Sequence, residues 1–119
     1  MIHIYYGNGK GKTSAAVGLG MRAYGAGMSV AMVQFLKDNK SSELKVLPFE
    51  MFNAPDFFFF FPDDSYKAWV DSAISFVKCS PCQLIILDEM LDVIPHFMSP
   101  ECALELLGRE KEFVITGHS

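Results

Sequence analysis

Tyr6-Gly7-Asn8-Gly9-Lys10-Gly11-Lys12-Thr13 is the stretch on which the fold turns. A short β-rich run, Ile2–Tyr6, stops at Gly7, and 12–24 reads as a helix rich in small residues (Ala15, Ala16, Ala23) closed by Gly25 and Gly27. A glycine-rich turn between a strand and a helix lets successive backbone N–H groups converge on phosphate oxygens, because no Cβ blocks the approach. The helix beginning at Lys12 adds its positive dipole end. Lys12 supplies a mobile point charge, and the Thr13 hydroxyl is placed to ligate Mg²⁺. The bland alternative, a glycine-rich turn carrying exposed lysines, does not account for the strand before it and the helix after it. One departure stands out: the usual spacing G-x-x-x-x-G-K-[ST] asks for glycine where this chain has Tyr6.

Outward from this loop, strand and helix patterns alternate. Residues 29–35 (SVAMVQF) read as a second strand, and 44–51 as a third that Pro48 marks as an edge or a break. Tyr66, Trp69, Val70, Ala73, Ile74 and Val77 fall on one helical face, with Asp63, Asp64 or Ser65 available to cap its start. Residues 83–87 (QLIIL) form a continuous apolar run, the pattern of a strand covered on both faces. Ser99-Pro100-Glu101 opens a helix that Gly108 stops, and 113–116 (FVIT) is the last strand. The alternation predicts a three-layer α/β fold with a mainly parallel sheet.

The run Leu84-Ile85-Ile86-Leu87 ends in Asp88-Glu89. Carboxylates at the carboxyl edge of an open α/β sheet lie where such sheets bind ligands, so Asp88 or Glu89 could hold Mg²⁺ directly or through water. Many buried strands end in an acid; the pairing with the glycine-rich loop is what makes this one informative.

Composition narrows the classes. The chain has 119 residues, one domain's worth, and 50% of them are hydrophobic against 20% charged, so a packed core is expected rather than disorder. The formal charge of -4 argues against a broad nucleic-acid surface. No apolar run reaches the ~20 residues of a membrane span, and the first residues are too polar for a secretory signal. The 3 cysteines, an odd number, do not form a disulfide framework. The expectation is a cytoplasmic protein with neither membrane nor nucleic acid as partner.

Gly7-Asn8-Gly9-Lys10-Gly11-Lys12-Thr13-Ser14-Ala15-Ala16, Arg22-Ala23, Val33-Gln34-Phe35-Leu36-Lys37 and Leu87-Asp88-Glu89 resemble the P-loop type of ATP:cob(I)alamin adenosyltransferase, also called cob(I)yrinic acid a,c-diamide adenosyltransferase. The resemblance extends from the first strand to Thr116-Gly117, and the family shares a non-glycine residue at the position of Tyr6. It implies a RecA-like parallel sheet, a homodimer, and transfer of the 5′-deoxyadenosyl group of ATP to the Co(I) of a corrinoid with release of triphosphate. A reductant or flavoprotein would supply Co(I), and Mg²⁺ or Mn²⁺ would accompany ATP. Carried over by position, Gly7, Asn8, Gly9, Lys10, Gly11, Lys12, Thr13 and Ser14 would surround the triphosphate, and Arg22 would help bind the nucleotide. Thr13 and Glu89, with Asp88, would sit at the metal. Lys12 and Glu89 are the candidate catalytic residues. Co(I) is itself a strong nucleophile, so the expected tasks are positioning and electrostatic.

Two departures from the family pattern are visible. Members often have Thr-Gly-Arg where this chain has Thr116-Gly117-His118, and they continue well past Ser119. By that pattern the chain reads as a nucleotide-binding domain truncated at its carboxy terminus. The rival readings are a P-loop kinase or ATPase transferring the γ-phosphate, and a shortened nucleotide-binding domain without chemistry.

Phe57, Phe58, Phe59, Phe60 and Phe61 exceed what one strand face can bury. The resemblance assigns aromatic residues of this region to the corrinoid; the alternative is an edge segment in the core or an interface. Cys79-Ser80-Pro81-Cys82 has CxxC spacing but follows a helix, and neither Cys102 nor His96 completes a recognised zinc spacing, so a structural role is expected. His3 reads as structural, and His118 receives no role.

Overall fold

The computed structural model describes residues 1–7, 11–36, 46–54 and 64–117. The elements in order are β1 (Ile2–Tyr6), α1 (Lys12–Gly25), β2 (Val30–Gln34), β3 (Glu50–Asn53), α2 (Asp64–Cys79), β4 (Leu84–Asp88), α3 (Pro100–Leu107) and β5 (Glu112–Gly117), with a 3₁₀ turn at Met90–Val93 between β4 and α3. The strands form one five-stranded sheet in the order β1-β5-β4-β2-β3. Every pairing in it is parallel. The α/β architecture expected from the alternating patterns is the one observed, and it is consistent with a RecA-like fold.

Side chains of the central strands alternate between two apolar layers. Val30, Met32, Leu84, Ile86 and Val114 pack with Phe49 and with Ala16 of α1. Ala31, Val33, Ile85, Leu87, Phe113 and Ile115 pack on the opposite face with Tyr66, Val70, Ala73 and Val77 of α2 and Ala103 and Leu106 of α3. Strands covered on both faces carry no polar alternation, which is why β2 and β4 are buried at every position. The helical stripe expected in 66–77 is the buried face of α2. Ser99 caps α3, its hydroxyl accepting from the Cys102 N–H at 3.1 Å, with Pro100 at the first helical position. The Tyr66 hydroxyl donates to the Phe35 carbonyl, fixing α2 to the end of β2.

Several boundaries differ from expectation. The third strand is Glu50–Asn53 rather than 44–51. It begins beyond Pro48 because pairing with β2 sets Glu50 opposite Ala31 and Asn53 opposite Gln34, and a proline has no N–H for that ladder. β4 runs one residue further than expected, so Asp88 is itself a strand residue opposite Gln34. The 3₁₀ turn carries no sequence signal beyond the apolar Met90 and Val93, both buried. β1 is an edge strand whose outer residues Ile2, Ile4 and Tyr6 are 45%, 53% and 70% exposed. The run from Phe57 to Phe61 lies outside the described residues.

Candidate functional site

Parallel pairing brings the carboxyl ends of β1, β4 and β5 to one edge of the sheet, and α1 starts there. Gly7 leaves β1 at φ 124°, and Gly11 precedes α1 at φ 101°, a left-handed conformation that disfavours a side chain. α1 has no acidic residue in its first turn and no side-chain cap, so its positive end is not neutralised by its own sequence. The Gly7 N–H donates to the Gly117 carbonyl at 3.2 Å, tying the start of the loop to the end of β5. The Lys12 ammonium donates to the same carbonyl at 3.0 Å.

Thr13 and Asp88 meet at the centre. The Thr13 hydroxyl donates to Asp88 Oδ1 at 2.8 Å, and the Thr116 hydroxyl donates to the same oxygen at 2.8 Å. Thr116 Oγ1 in turn accepts from the Glu89 N–H at 2.8 Å. Asp88 is 3% exposed. Burial pushes its carboxyl above the usual carboxylate range, while hydrogen bonds from Thr116, Thr13 and Gln34 and the charge of Lys12 pull it back. Glu89 follows at φ 64°, a left-handed conformation costly for a residue with a Cβ. Burial is the main cause that raises its pKa to about 7, followed by a hydrogen bond with Asp92 and the charges of Asp88 and Asp92, with Lys12 opposing.

The expected residues are therefore not placed alike. Lys12, Thr13, Asp88 and Glu89 share one edge, with Gly7 and Gly11 bounding the loop and Ser14 on the exposed side of α1. Asn8, Gly9 and Lys10 lie outside the described residues, as do the five phenylalanines and His118. Arg22 is exposed in the last turn of α1, roughly 15 Å along the axis from Lys12 at 1.5 Å per residue, and is not brought to the Thr13–Asp88 pair. Thr116 and Gln34 also hydrogen-bond Asp88 and are absent from the set expected from the sequence. The signal available for Thr116 was its place at the carboxyl end of a strand followed by glycine.

The donors fit Mg²⁺ or Mn²⁺ in kind: a hydroxyl and carboxylates, all hard oxygens. Among the described residues no group of three or more His, Cys, Asp or Glu is arranged to hold a metal ion. Mg²⁺ needs no such cage, since it retains waters and takes phosphate oxygens. The cysteines Cys79, Cys82 and Cys102 are free, and the Lys111 ammonium holds the loop between α2 and β4 through the Ser80 and Cys82 carbonyls, a structural arrangement. No helix among the described residues is long and apolar enough to cross a membrane.

The chain is 54% identical over 37 residues to the corrinoid adenosyltransferase CobA of Salmonella typhimurium and to the corrinoid adenosyltransferase of Escherichia coli. It is 51% identical over 39 residues to the corrinoid adenosyltransferase of Pseudomonas aeruginosa. These alignments cover 31% to 33% of this chain and 19% of each relative's length. The family described as ATP:corrinoid adenosyltransferase BtuR/CobO/CobP matches residues 1–119. With a match along its whole length, the chain belongs to the ATP:corrinoid adenosyltransferase family.

Proposed function

We propose that this chain forms the nucleotide- and metal-binding part of an enzyme that transfers the 5′-deoxyadenosyl group of ATP to the Co(I) of a corrinoid, releasing triphosphate, in adenosylcobalamin synthesis or salvage. The observation that carries the reading is the 2.8 Å hydrogen bond between Thr13 and Asp88, which joins the helix after the glycine-rich loop to the acid-ended strand. Family membership supports it and supplies ATP as the co-substrate.

In this reading the backbone from Asn8 to Thr13 surrounds the triphosphate. Lys12 leaves the Gly117 carbonyl to meet a phosphate oxygen. Bound Mg²⁺ or Mn²⁺ neutralises charge on the leaving triphosphate. Thr13 and Glu89 would hold it, while Asp88 orients the Thr13 hydroxyl from the buried side. Co(I) attacks C5′, the C5′–O bond breaks, and the electron pair leaves with the triphosphate as cobalt becomes Co(III). No side chain needs to act as nucleophile, so the chain's work is to align C5′ and stabilise the leaving oxygen. Arg22 is assigned to the nucleotide and the run from Phe57 to Phe61 to the corrinoid. A separate reductant or flavoprotein supplies Co(I), and the working unit is a cytoplasmic homodimer.

The test is a product assay with ATP, Mg²⁺ and a chemically reduced corrinoid. Adenosylated corrinoid with triphosphate in equal amount is expected. ADP in place of triphosphate would move the assignment to phosphoryl transfer. ATP binding with neither product would leave a nucleotide-binding domain without chemistry.

A further inference from the structure

The Thr116 side chain is fully buried, yet its hydroxyl makes two site contacts: it donates to Asp88 Oδ1 and accepts from the Glu89 N–H, both at 2.8 Å. Asp88 Oδ1 also receives the Thr13 hydroxyl. A buried carboxylate needs donors. Thr116 is held in place by the sheet, because β5 pairs with β4 as far as Leu87 opposite Ile115 and with β1 at Tyr5 opposite Thr116. The second contact acts on the neighbouring residue. Glu89 leaves the strand in a left-handed conformation that an L residue seldom adopts, and its N–H is held in that conformation by the Thr116 oxygen.

We propose that Thr116 is a positioning residue for the cation side of the site: one hydroxyl sets both the buried Asp88 carboxylate behind Thr13 and the direction in which Glu89 leaves the sheet. The proposal rests on the phosphate-loop reading of residues 7–13. With no exposed surface, Thr116 acts through Asp88 and Glu89, so its effect falls on metal-dependent binding and not on the phosphate contacts of the loop. Thr116→Ser keeps the hydroxyl. Thr116→Val keeps the shape and removes it, and Thr116→Ala removes it with less steric demand if the valine variant does not fold.

The experiment is calorimetry of ATP binding with Mn²⁺ and again in EDTA, for the wild type and the three variants, with electron paramagnetic resonance of Mn²⁺ as a second readout. Thr116→Val or Thr116→Ala should lose about tenfold or more in Mn²⁺-dependent affinity, the scale of one hydrogen bond to a charged group, and leave ATP binding in EDTA nearly unchanged. Thr116→Ser should retain both. A merely structural role would weaken binding equally with and without the metal, and that result would overturn the proposal. So would wild-type Mn²⁺ affinity in the variants lacking the hydroxyl. A wild-type chain that binds no ATP under either condition would overturn the phosphate-loop reading itself, and the proposal with it.

Discussion

Thr13 and Asp88, 75 positions apart in sequence, are joined by a hydrogen bond of 2.8 Å between Oγ1 and Oδ1. The bond crosses from the first turn of α1 to the last residue of β4, and so connects the glycine-rich loop to the acid strand through side chains alone. Lys12, one residue earlier, points instead to the carbonyl of Gly117.

Lys12→Ala is expected to weaken ATP binding by about 1.5–3 kcal/mol, the scale of a charge-assisted hydrogen bond. The effect should fall towards the lower end, because binding must first break the bond from Lys12 to Gly117. Unchanged ATP affinity by calorimetry would show that Lys12 does not serve the phosphates.

Gly18 and Gly20, both inside α1, should respond oppositely to alanine. A Cβ at Gly18 meets nothing within 4 Å, so Gly18→Ala should stabilise by about 0.5–1 kcal/mol through helix propensity. At Gly20 the added carbon would lie 2.7 Å from Ile86 Cδ1 and 2.8 Å from Phe49 Cζ. Overpacking of about 1–3 kcal/mol outweighs the propensity gain, and Gly20→Ala should destabilise. Urea denaturation showing equal stability for the two variants would contradict the seating of α1 on the sheet.

Gly117→Ala should disturb the site from below. Its Cβ would stand 2.2 Å from Leu91 Cβ and 3.1 Å from Leu91 Cα, a contact that only backbone movement can relieve. The Gly117 carbonyl, which anchors both Gly7 and Lys12, would move with it. A loss of about 1–3 kcal/mol in stability is expected. The cost should shrink in a Leu91→Gly background, and a double-mutant cycle with no coupling between the positions would refute the contact.

The pH dependence of stability follows from the acid pair. Glu89 has its pKa raised from 4.5 to about 7, so between those values the folded chain binds more protons than the unfolded one. Stability of the metal-free protein should therefore fall as pH rises through that window, and be recovered as pH is lowered towards 4.5. Asp88, also shifted upward, acts in the same direction. Glu89→Gln should flatten the profile measured by thermal melting in EDTA, and a variant with the full wild-type slope would show that Glu89 is not its source.

By itself the sequence determined the elements and their class. Glycines at 7 and 11 between a β-rich run and a small-residue helix, the unbroken apolar run ending in Asp88, and the Ser99-Pro100 start of α3 are local signals, each written in a few consecutive residues. Periodicity was enough to select the face of α2 that the core would bury. Only the tertiary structure decided which acid does what. Strand order places β5 between β1 and β4, and that arrangement, invisible in any local window, sets Thr116 against Asp88 and Gly117 under Lys12. The start of β3 was likewise settled by its register on β2, after Pro48 and not across it. The physical reason is common to these cases: a dipeptide such as Asp88-Glu89 has the same local chemistry wherever it occurs. Its burial, its hydrogen-bond donors and the left-handed turn between its two carboxyls come from neighbours distant in the chain.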